Sequence, residues 1–117
     1  IDYLNRLPIQ GVKLQLLHVL SDSDLADLYR AGEYTPLEKE EYLTLVGDCI
    51  AHLRADIVLH RLTGDGDKNT LLAPLWSLRK RDVLNHLHRY LRENHIRQGM
   101  SCKIDLSVIY NKPKDVL

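Results

Sequence analysis

The residues best equipped for chemistry crowd one stretch, Ile57 to Arg81, IVLHRLTGDGDKNTLLAPLWSLRKR. Ile57 to Leu62 reads as a buried strand, Arg61 stands at its carboxyl end, and Thr63-Gly64-Asp65-Gly66 follows at once. A guanidinium, a hydroxyl, a carboxylate and glycine-opened backbone at that end of an α/β strand occupy the place where such proteins hold ligands. An ordinary surface turn uses glycine and aspartate too. The stretch alone therefore names a position rather than a reaction. His18 holds the matching position at the far end of an earlier apolar run, where a histidine serves either as a hydrogen-bonded core residue or as a ligand contact.

Other constellations fail on spacing. Asp65, Asp67 and Asn69 imitate the first half of a calcium loop, but Thr70 stands where glycine is required and Trp76 where a bidentate glutamate belongs. The glycines are not followed by Gly-Lys-Ser or Gly-Lys-Thr, so no phosphate-cradling loop is indicated. Cys49 and His52 are three apart on one expected helix, and two ligands do not make a metal site. His86 and His88, two apart on another, point to different sides.

The elements that must position the stretch follow in order. Ile1 to Leu7 reads as the last turns of a helix beginning upstream, stopped by Pro8. Gly11 opens Val12 to Leu20, VKLQLLHVL, a strand expected to be buried on both faces. Ser21-Asp22-Ser23-Asp24 starts a short helix, about Asp24 to Ala31, that ends at Gly32. Thr35-Pro36-Leu37-Glu38 predicts a helix capped at Thr35 and running to about Arg54, with Tyr42, Val46, Cys49, Ile50 and Leu53 inward. Leu78 to about Asn94 is the last helix, with Leu84, Leu87 and Leu91 inward and Arg79, Lys80, Arg81, Arg89, Arg92 and Arg97 outward. Strand, helix, strand from Val12 to Leu62 predicts two parallel strands joined by a right-handed crossover, which brings His18 and Arg61 to one rim. Ile104 to Tyr110 alternates as a half-buried edge strand, and Asn111 to Leu117 is a polar, proline-broken end.

Composition bounds the rest. The chain has 117 residues, enough for one domain and too few for a complete α/β barrel of about 250. Sixteen basic and sixteen acidic residues cancel, so nothing global draws it to nucleic acid or anionic membrane. No apolar run is long enough to span a bilayer and no signal peptide is visible, so a membrane partner is not expected. Two cysteines offer no disulfide framework, which suits a reducing cytoplasm.

The words IVLHRLTGDG and LLAPLWSLRKRDVLNHLHRYLRE, preceded in order by GVKLQLLHVL, DLADLYRAGEYTPL and EEYLTLV, resemble the C-terminal part of the YhcC-like radical S-adenosylmethionine (SAM) proteins, relatives of the Elongator catalytic subunit. The resemblance covers most of Gly11 to Gly99. It implies a partial (β/α)6 barrel, TIM-like in architecture, in a parent enzyme that holds a four-iron four-sulfur (4Fe-4S) cluster and cleaves SAM. The superfamily's Cys-x3-Cys-x2-Cys run is missing, and Cys49 and Cys102 stand alone. The expectation is therefore a C-terminal piece: residues 1–99 from the barrel, with two parallel strands and three to four helices, and 100–117 as an extension with an extra strand. Such a piece would bind no cofactor and perform no catalysis alone. In the parent, the resemblance implies that His18, Arg61, Leu62, Thr63 and Asp65 touch cofactor or substrate: Arg61 the cofactor carboxylate, Leu62 its adenine, Thr63 and Asp65 hydroxyl groups. The rest of the parent barrel is the expected partner, with self-association through uncovered edges. The competing reading is an RNA- or protein-binding module that uses the basic helix face and Tyr90. The substrate stays open between a nucleic-acid base and a small molecule such as a porphyrinogen.

Overall fold

The computed structural model describes residues 1–64 and 66–104. Its elements are α1 (Asp2–Asn5), β1 (Gly11–Lys13), β2 (Val19–Leu20), α2 (Asp24–Arg30), α3 (Lys39–His52), β3 (Val58–Arg61), β4 (Leu71–Ala73), a 3-10 turn (Leu75–Leu78) and α4 (Lys80–Glu93). Among the described residues this is a small α/β arrangement of four helices and two two-stranded sheets. β1 pairs with β3 in parallel, and β2 pairs with β4 antiparallel.

The parallel pair is the one expected, but the long first strand is not. Val12 to Leu20 divides into β1 and β2 with an irregular stretch between them, and β2 leaves the parallel sheet to meet β4. Ser21 continues that second ladder by donating its N–H to the Thr70 carbonyl at 2.7 Å. β4 was not foreseen, because three residues between a turn and Pro74 carry too little pattern to show a strand.

The expected burial on both faces fails as well. Lys13, Gln15 and Leu17 are exposed, and so are Val58 and His60. Successive strand residues point to opposite faces, and here one face alone meets the main core. Leu16 joins Tyr42, Leu43, Val46 and Ile50 of α3 and Leu87 of α4 in that core, with Leu14, Leu59 and Leu62 packed against it. The other face of β1 and β3 has no helix over it among the described residues.

Helix α3 starts at Lys39, four residues after the expected cap at Thr35. Trp76 explains the shift: its indole N–H donates to the Leu37 carbonyl at 3.0 Å, and Leu37 packs on the core. Glu38 then becomes the cap residue, and its N–H donates to the Glu41 carboxylate at 3.1 Å. In α4, Val83 and Leu87 are the buried pair, while Leu84 and Leu91 are half-buried. Arg79, Lys80, Arg81, Arg89, Arg92 and Arg97 are all exposed, as the spacing predicts.

The end of α3 is tied to both flanks of the chain. Asn5 donates through Nδ2 to the His52 carbonyl at 2.6 Å, and Gln98 Nε2 donates to the carbonyls of Arg54 and Ile57 at 2.9 and 2.6 Å. Ser101 N–H donates to the Ala51 carbonyl at 2.8 Å. The strand expected at Ile104 to Tyr110 lies, apart from Ile104, outside the described residues.

Candidate functional site

Parallel pairing puts the carboxyl ends of β1 and β3 at one rim, and the chain beyond them closes back on itself there. His18 is the pivot. A Cβ added to Gly64 would stand 2.6 Å from His18 Cε1 and 3.2 Å from the Leu16 carbonyl oxygen, and one added to Gly66 would stand 3.4 Å from the His18 ring. The two glycines of the Thr63 to Gly66 loop thus let the backbone lie directly against the imidazole. Expected neighbours in sequence terms, His18 and this loop are neighbours in space.

His18 Nε2 is buried and has no hydrogen-bond partner among the described residues. Burial holds the imidazole below its usual protonation range, and the Lys80 ammonium adds to the effect. A buried imidazole nitrogen with no partner among the described residues is an unmet polar demand.

The other predicted residues take different places. Arg61 is half-buried at the end of β3, opposite Lys13 in the register, and its carbonyl accepts the Leu14 N–H at 2.8 Å. Leu62 is half-buried against the main core, and its carbonyl accepts the Tyr42 hydroxyl at 2.6 Å. Thr63 and Gly64 share a narrow crevice with Leu16, Tyr42, Trp76 and Ser77. Asp65 lies outside the described residues. The structure therefore brings His18 to the Thr63–Gly64 turn and sets Arg61, the last residue of β3, two positions before Thr63.

Tyr42, Trp76 and Lys80 join this neighbourhood without having been singled out as site residues. Tyr42 reads as an ordinary inward helix position, yet its hydroxyl fixes the strand-to-loop junction, and its ring lies 5.6 Å from that of Trp76 at 42°. Burial, with Cys49 second, pushes the Tyr42 phenol up to about 12. It is a fixed donor at neutral pH.

The donor set does not suit an iron-sulfur cluster. Among the described residues no group of three or more histidine, cysteine, aspartate or glutamate side chains stands together as a metal site. Burial pushes the Cys49 thiol up, away from the thiolate a cluster needs. Cys102 Sγ instead accepts from Asn5 Nδ2 at 3.6 Å. What stands at the rim is the His18 ring, set against the glycine backbone that follows β3.

The family model of the Radical SAM C-terminal domain matches residues 9–93. The chain is similar to the uncharacterized protein YtqA of Bacillus subtilis (strain 168), 32% identical over 93 residues that cover 80% of this chain and 29% of YtqA. It is 33% identical to Protein YhcC of Escherichia coli (strain K12) over 88 residues, 75% of this chain and 28% of YhcC. It is 30% identical to the uncharacterized protein MJ0486 of Methanocaldococcus jannaschii over 97 residues, 82% of this chain and 30% of that protein. The chain thus spans under a third of the length of these relatives. No helix among the described residues is long and apolar enough to cross a membrane. From the first strand to the end of the last long helix, the chain belongs to the Radical SAM C-terminal domain family and is homologous to YhcC and YtqA.

Proposed function

We propose that this domain supplies the last strands of the barrel of a radical SAM enzyme and part of the wall of its cofactor and substrate pocket. The carrying observation is the rim itself: two parallel strands end side by side, and a two-glycine loop packs on a histidine whose buried Nε2 has no partner among the described residues. When bound in the complete enzyme, SAM and a 4Fe-4S cluster held by cysteines outside this chain supply the radical chemistry. The residues of this domain bind and orient. Arg61 pairs with the cofactor carboxylate, the partly exposed ring of His18 contacts cofactor or substrate, and Thr63 and Asp65 take hydroxyl groups. Leu62 keeps its packing role at the junction and offers its exposed part to the adenine. Tyr42 holds that junction in place.

The helix-free sheet face supports the same reading. Val58 on that face is 55% exposed, and Leu17, in the irregular stretch beyond β1, is 57% exposed, apolar surface of a kind that the remainder of a barrel covers. The domain by itself would self-associate through that face.

The test is anaerobic reconstitution of the complete protein that carries this chain, followed by one-electron reduction in the presence of SAM. The proposal expects 5′-deoxyadenosine from the complete protein and none from residues 1–117 alone. A complete protein that takes up no cluster and cleaves no SAM overturns it and favours the RNA- or protein-binding reading of the basic α4 face.

A further inference from the structure

We draw no further inference here: the strongest candidate, the surface patch in which the exposed Leu75 and Leu78 adjoin Arg79, Lys80 and Arg81 at the start of α4, carries nothing, because nothing in the structure shows what covers it.

Discussion

Arg54 is the residue whose loss should damage this domain most, although it lies far from the rim. Its side chain is 2% exposed. The guanidinium donates through Nη1 to the carbonyls of Asn5 and Leu7 at 3.0 and 3.2 Å, through Nη2 to that of Ile9 at 3.0 Å, and through Nε to Asp56 at 2.8 Å. One cation thus pins the segment that leads into β1 onto the turn that leads into β3, and so sets the register of the parallel pair. Replacing it by methionine keeps much of the bulk and removes all these donors. Hydrogen bonds from a charged donor contribute about 1.5–3 kcal/mol each. The partners are not all sealed from water, since Asp56 is 35% exposed and Leu7 and Ile9 are half-buried. The terms therefore do not sum, and the loss should fall near the range for breaking a buried pair, about 3–5 kcal/mol. Arg54→Lys should recover little, because an ammonium cannot reach four acceptors arranged as a fork. Urea unfolding followed by circular dichroism reads this directly. With a slope of ~1–3 kcal/mol per molar, the midpoint should drop by roughly 2 M. A loss below about 1 kcal/mol for Arg54→Met would refute the claim that this cation fixes the strand register.

Three smaller perturbations test the rim. Tyr42→Phe removes the bond to the Leu62 carbonyl and should cost about 1–2 kcal/mol in urea unfolding. Because burial raises this phenol from its ordinary 10.0 to about 12, its share of stability is whole below pH 10 and is lost as pH climbs through about 12, and Tyr42→Phe should flatten that alkaline slope. Gly64→Ala forces the loop off His18, costing about 1–3 kcal/mol and shifting the His18 ring resonances, whereas the same change at Gly32, with nothing within 4 Å, meets only its positive φ of 76°. His18 titrates below its ordinary 6.5 in the fold, so its contribution is present above pH 6.5 and is lost as pH falls through the lower folded value; His18→Asn should remove that part of the acid slope of the urea midpoint.

Where several residues reported the same period, sequence reading placed the structure well. Tyr42, Val46, Ile50 and Leu53 marked the buried face of α3, and a strand, a helix and a second strand dictated the parallel pair. Proximity of His18 to the Thr63–Gly66 loop was expected from a strand running to Leu20; β1 stops at Lys13, and the irregular stretch after it brings His18 there. What the pattern could not carry were effects decided by one distant contact. Trp76 reaches the Leu37 carbonyl and moves the start of α3 past Thr35. β4 takes β2 out of the first strand, although no glycine or proline interrupts Val12 to Leu20. An apolar run also says nothing of how many layers cover it, so Leu17 and Val58 looked buried on sequence and stand exposed. Arg54 read as the end of a helix, because the carbonyls it binds belong to residues 5–9, more than forty positions away.

The most direct test of the central proposal is the affinity for SAM of the complete protein that carries this chain, with and without Arg61. Calorimetric titration under anaerobic conditions, at matched cluster loading, compares the natural protein with Arg61→Ala. If the guanidinium at the end of β3 meets the cofactor carboxylate, the variant keeps its cluster and its melting temperature, while SAM binding weakens by about 2–5 kcal/mol, the cost of truncating one side of a buried charge pair. Unchanged affinity in a folded, cluster-loaded Arg61→Ala protein would contradict the account and remove this rim from the cofactor pocket.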